Sequence, residues 1–307
     1  MLERIYSTNS KTSNFINRSP VNDGLEVYGF SSRGISFNRN YDSWAYLRKF
    51  FIRAVMTPSF VKQALVWSEK NFEEMEGYWK KLYGDDHNEL DLSEWLGRLY
   101  TDNIFHITAN KKVYALANYF NKLSPREKVS VDSTSIMERS SNETLTEPLT
   151  DEAIIGNFME TTAGGIDSIT SSTCFISYFM AKYPEVKKRV FEEIDSKFTR
   201  DQKLTCGELN QLPYCDAVIR EISRMHPIAE LNYRVNAQEE TFNGYVIPAE
   251  TQIYIHQYAM MELKAYMVLM YRKYDFELVD KNAPLKTHYS IIRACDELKV
   301  RVKPRVF

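Results

Sequence analysis

The chain has 307 residues, 44% hydrophobic and 26% charged, a balance that supplies at least one large core and excludes disorder throughout. A formal net charge of −2 provides no global basic field, which argues against nucleic acid or an anionic membrane surface as a partner. The four cysteines, Cys174, Cys206, Cys215 and Cys295, lack CxxC spacing, so neither a disulfide framework nor a structural zinc site is indicated.

Reduced thiols in an intracellular, cytoplasmic setting are therefore the expectation. The opening MLERIYSTNSKTSN has no apolar segment of signal-peptide type, and no apolar run reaches the roughly 18 residues that span a bilayer. No membrane anchor is expected in this chain.

Residues 41–83 carry Trp44, Leu47, Phe51 and Val55, then Val61, Leu65 and Phe72, with Pro58 between them; this reads as two helices. DLSEWLGRLYTDNIFHITA follows with Leu92, Leu96, Leu99, Ile104 and Ile107 on a helical period. From Asn121 to Thr150 aromatic residues vanish and periodicity is lost, the pattern of a long loop, a linker or a scar.

Thr150 is an N-cap candidate for a long helix that Pro184 stops. Its apolar residues, Ile154, Ile155, Phe158, Met159, Ile166, Ile169, Ile176 and Met180, suit burial on much of the circumference. Pro184 opens a helix striped by Val186, Val190, Ile194 and Phe198, and another carries Ala217, Val218, Ile222 and Met225 up to Pro227. ETFNGYVIP then sets Asn243-Gly244 between β-formers, a hairpin signal. In IYIHQYAMMELKAYMVLMY a strand passes into a helix with no turn residue at the join. DFELV and LKVRV, separated by a polar loop, are the closing strands. The fold class expected is mainly α with small β-sheets, an α+β chain.

Inside the long helix, AGGIDS is a departure, because each helical glycine costs roughly 1 kcal/mol relative to alanine. Gly164 and Gly165 either admit a close neighbour or open the helix locally to a small ligand, with Asp167 and Ser168 as proton relays. Spacing alone favours packing. Glu221 and Arg224 are spaced for an ion pair, and Trp44 and Arg48 for presenting an indole and a guanidinium together. His226, at a helix end beside Pro227, reads as a capping or packing residue. No HExxH, Walker loop, GxSxG or GxGxxG occurs.

The order WAYLR, AGGIDS, EISRMHP, the arginine of NYRV, and NGYVIPAET resembles the cytochrome P450 family of haem-thiolate monooxygenases. That resemblance implies an incomplete cytochrome P450-like fold, a single truncated domain over residues 1–307. It implies haem as cofactor, with Trp44, Arg48 and Arg234 binding its propionates. Gly165, Asp167 and Ser168 would line the dioxygen groove, and Glu221 and Arg224 would form a structural ion pair. It also implies an NADPH-dependent reductase and an apolar small-molecule substrate as partners. Full-length eukaryotic relatives would sit on the endoplasmic reticulum.

The family's cysteine loop does not appear: no Cys stands between Cys215 and Cys295, although the helix that follows such a loop is recognisable. By family comparison the ligand belongs near Ile253, and deletion scars are read near 255–259 and 121–150. His256 is the alternative iron ligand nearest that place. Two functional readings follow, a monooxygenase by descent with its thiolate missing, or a catalytically dead fragment or helical interaction or ligand-binding protein.

Overall fold

A computed structural model describes residues 14, 27, 34–55, 57–84, 88–124, 151–242, 244–257, 261–289 and 292–305. Thr150, most of the aromatic-free stretch and residues 258–260 of the strand-to-helix join lie outside the described residues. The chain divides into two compact units, and the division falls inside the long helix after Ala163.

The first unit contains α1 (Tyr41–Val55), the opening part of α5 (Asp151–Lys182) and strands β2 (Ala229–Val235), β3 (Glu240–Phe242), β4 (Tyr245–Ile247) and β5 (Gln252–Gln257). Helix α1 starts where the Asn40 side chain accepts the Ser43 N–H at 3.1 Å, an N-cap. It buries Trp44 and Leu47. Strands β2 and β5 pair antiparallel, with a register shift between Ala229 and Asn232. The β3–β4 hairpin forms where Asn243-Gly244 signals it, with Gly244 at φ 84°, a conformation glycine adopts without strain.

The second unit contains α2 (Pro58–Tyr83), β1 (Asn88–Asp91), α3 (Leu92–Ala109), α4 (Ala115–Leu123), the remainder of α5, α6 (Pro184–Asp195), α7 (Cys206–Leu209), α8 (Pro213–Met225) and α9 (Met261–Tyr271). It closes with β6 (Tyr274–Leu278), β7 (Lys286–Tyr289), β8 (Arg293–Glu297) and β9 (Lys299–Pro304). Strand β9 lies between β1 and β6 in an antiparallel sheet. Asp91 ends β1 and caps α3, accepting from the Ser93 N–H at 3.0 Å, and it takes the Leu298 N–H at 3.1 Å as well. One carboxylate thus ties sheet to helix.

The core of this unit joins Phe72, Met75 and Trp79 of α2, Leu92, Trp95, Leu96, Leu99 and Tyr100 of α3, Phe175, Ile176 and Met180 of α5, and α9. Helix α9 is buried around its circumference from Leu263 to Tyr271, and its one lysine there, Lys264, pairs with Asp216 at 3.4 Å. Pro184 and Pro213 open α6 and α8, where a missing N–H costs nothing.

Several sequence expectations are corrected. Helix α4 runs to Leu123, past the Asn121 boundary set by composition. The polar loop between the last two strands holds a hairpin of its own, β7–β8. Ala217 and Met225 face outward on α8, whose buried side is Cys215, Val218, Ile219 and Ile222. The α5 stripe is buried from Ile169 onward, whereas Ile155 and Met159 are exposed.

Candidate functional site

In the first unit, Trp44 is buried and donates its indole N–H to the Ile35 carbonyl at 3.0 Å. Arg48, one turn later, is exposed and lies over the Trp44 ring with 5.4 Å between its guanidinium carbon and the ring centroid. The α1 spacing therefore does bring indole and guanidinium together. The indole donor is already engaged, so contact with a propionate would require it to release Ile35. Arg234 is buried on β2, registered opposite Ile253 of β5.

Sequence reasoning missed Glu160 of α5. Its buried carboxylate accepts the backbone N–H groups of Ile35 at 2.6 Å, Ser36 at 2.8 Å and Phe37 at 3.4 Å. Burial raises this carboxyl above the usual range, although the three donors act in the opposite direction. Glu160 and Trp44 thus grip the same short segment, one through its amides and the other through a carbonyl. Gly34 permits this, because a Cβ there would fall 2.0 Å from the Glu160 carboxyl carbon.

In the second unit the two adjacent glycines of α5 differ. A Cβ on Gly165 would come within 2.9 Å of the Ile104 terminal methyl of α3, so close helix packing accounts for this glycine. A Cβ on Gly164 would meet nothing within 4 Å. The helix stays α-helical through both positions. The Ser168 hydroxyl turns back to donate to the Gly164 carbonyl, a local bond that competes with opening toward solvent. Asp167 is exposed.

These contacts set opposite expectations for the two glycines. Gly164→Ala should stabilise the chain by about 0.5–1 kcal/mol, since it adds helix propensity in open space. Gly165→Ala should fall within about 0.5 kcal/mol of the parent, because the same gain is offset by displacing the Ile104 methyl. Urea unfolding of both variants measures this difference; equal stabilisation would contradict the packing at Gly165.

Glu221 and Arg224 pair through two bonds of 2.8 and 2.7 Å on α8. Their side chains are 55% and 70% exposed, so the pair faces solvent. Each holds the other charged: Arg224 lowers the Glu221 carboxyl, and Glu221 raises the guanidinium. His226 caps α8 through its backbone N–H to Ile222 and packs its ring 4.8 Å from that of Phe179. Burial and nearby Arg293 lower its imidazole.

A haem-thiolate centre needs a cysteine sulfur free to bind iron. Cys174 is buried in α5 against Cys295 of β8, and Cys215 is buried in α8, where burial and Glu193 push its thiol far up. Cys206 is half-buried at the start of α7. None lies between β5 and α9, where the family pattern puts the ligand. The His256 side chain lies outside the described residues. The cysteines present do not fit a haem-thiolate centre.

The cytochrome P450 family model matches residues 117–266. Cytochrome P450 monooxygenase claR of Ampulloclitocybe clavipes is 37% identical over 87 residues, 28% of this chain and 16% of that protein. Cytochrome P450 3A13 of Mus musculus is 30% identical over 143 residues, 46% of this chain and 28% of that protein. The chain thus matches less than a third of the length of these relatives. Among solved structures, the cytochrome P450DA heme domain aligns with a TM-score of 0.75 at 13% identity, covering 99% of this chain and 86% of that one. A cytochrome P450 designated CYP102L1 aligns at 0.74 and 14%, covering 94% and 88%. The structural likeness supports the α-rich fold with small sheets, and the sequence matches place residues 117–266 within the cytochrome P450 family.

Proposed function

We propose that this chain is a single, truncated cytochrome P450-like domain, a monooxygenase by descent that lacks monooxygenase activity as written. The family is one of haem-dependent monooxygenases. The observation that carries the proposal is the placement of the cysteines in α5, α7, α8 and β8, with none between β5 and α9. Without a thiolate donor, the electron density that favours O–O cleavage is missing. Trp44, Arg48 and Arg234 are then inherited propionate-binding positions, and Gly165, Asp167 and Ser168 inherited dioxygen-side positions.

An NADPH-dependent reductase and an apolar substrate belong to this proposal as partners of the complete ancestral enzyme. Among the described residues, no helix is long and apolar enough to cross a membrane.

The test is turnover. The full chain, supplied with haem, an NADPH-dependent reductase and a panel of apolar substrates under isotopically labelled dioxygen, should incorporate no label above a protein-free control. Labelled product that depends on the chain and on NADPH would overturn the proposal.

A further inference from the structure

Ser171 and Cys174 stand three apart on α5 and so share a helix face. Both are buried, and both meet the same residue of β8. The Ser171 hydroxyl accepts the Cys295 N–H at 3.0 Å, which sets Cys295 against the face of α5 that carries Cys174, and after burial the nearby Cys295 thiol is the next cause raising the Cys174 thiol. Strand β8 is fixed from other directions as well. Cys295 registers opposite Thr287 of β7, and the Arg293 N–H donates to the Ile228 carbonyl at 2.8 Å. Two sulfurs distant in sequence are thereby held together by the backbone around them.

We propose that Cys174 and Cys295 form an oxidisable dithiol, a modification site at which a disulfide joins the β7–β8 hairpin to α5. Cys174 lies in the core, whereas Cys295 is half-buried, so Cys295 is the sulfur a reagent reaches first. With a low-molecular-weight disulfide as oxidant, the Cys295 thiolate attacks one sulfur. The reagent's S–S bond breaks, and one thiolate leaves and takes up the proton lost by Cys295. The Cys174 sulfur then displaces the second reagent thiolate from Cys295 and passes its own proton to that leaving group. Two protein thiols are oxidised by two electrons, and one reagent disulfide is reduced to two thiols.

Burial raises the Cys174 thiol well above its ordinary range, consistent with its acting second. The site does not depend on haem or on the monooxygenase reading. Because the bond closes a loop of about 120 residues, it should raise Tm by roughly 5–10 °C.

The experiment treats the full chain with oxidised glutathione, quenches with acid, alkylates in denaturant and maps the peptides without reduction. The expected result is loss of two hydrogens from the intact mass, a linked peptide pairing Cys174 with Cys295, and an upward Tm shift that dithiothreitol reverses. Cys206→Ser and Cys215→Ser should leave the linked peptide in place, whereas Cys174→Ser or Cys295→Ser should remove it. Persistent alkylation of both sulfurs in the parent chain, arrest at a glutathione adduct on Cys295, or linkage to Cys206 or Cys215 would each overturn the proposal.

Discussion

Replacing Trp95 by alanine is expected to destabilise the second unit by about 4 kcal/mol, the largest effect of any single truncation considered. Trp95 is 1% exposed in α3 and meets Trp79 of α2 edge-on at 6.2 Å and Tyr119 of α4 at 5.0 Å between centroids. Trp79 in turn meets Tyr274 of β6 at 5.9 Å. The walls of the resulting void are therefore rigid rings from separate elements, which relax inward poorly. Urea unfolding should show a lowered midpoint with an unchanged m-value. Val66→Ala, on an exposed position of α2, should change stability by less than about 0.5 kcal/mol. A Trp95→Ala loss as small as that of the surface control would contradict the packing.

The second large effect is expected at Asp102. This residue of α3 is fully buried, and its carboxylate accepts the N–H groups of Ala115 at 2.9 Å and Leu116 at 3.1 Å. It caps the first turn of α4 from a neighbouring helix, replacing the cap that Tyr114 does not provide. Asp102→Ala leaves two buried donors unpaired and should cost about 3 kcal/mol.

Burial raises the Asp102 carboxyl above the usual range, more than its two backbone bonds lower it. Its folded value then exceeds its unfolded one, so the associated stability is complete below the ordinary carboxylate value of about 3.9. That stability is lost as pH rises through the folded value. Asp102→Asn cannot ionise, so its deficit relative to the parent should shrink as pH increases over that window. Denaturant unfolding of both proteins across the acidic range measures this. A deficit that grows with pH would reverse the assignment.

Asp102 also shows why α4 was hard to read in the sequence. The helix has nine residues, no cap of its own, and a left-handed Tyr114 at its start, so the signal that begins it lies back in α3. By contrast, α3 carries its cap, Asp91, directly before a helical period of leucines, and its bounds were legible. The same contrast separates the two hairpins. Asn243-Gly244 announces β3–β4, whereas β7–β8 has no such pair and depends on contacts with α5 and Ile228.

The proposed positions, Trp44, Arg48 and Arg234 in the first unit and Gly165, Asp167, Ser168, Glu221 and Arg224 in the second, are named by the order of motifs in the sequence; their environments are not. The grip of Glu160 on Ile35 to Phe37 and the Ile104 methyl against Gly165 join segments far apart in the chain, and the Trp44 indole reaches out of its own helix to Ile35. Local periodicity holds no information about such partners. The two glycines needed separate explanations, and only three-dimensional neighbours distinguish them.

The central claim, that a cytochrome P450-family chain lacks its axial thiolate, is tested most directly by the reduced carbon-monoxide difference spectrum of the full chain purified in the presence of haem. The account predicts no red-shifted Soret band of the thiolate type, whether or not haem remains bound. Appearance of that band, and its loss on replacing any one of the four cysteines, would contradict the claim and identify the ligand.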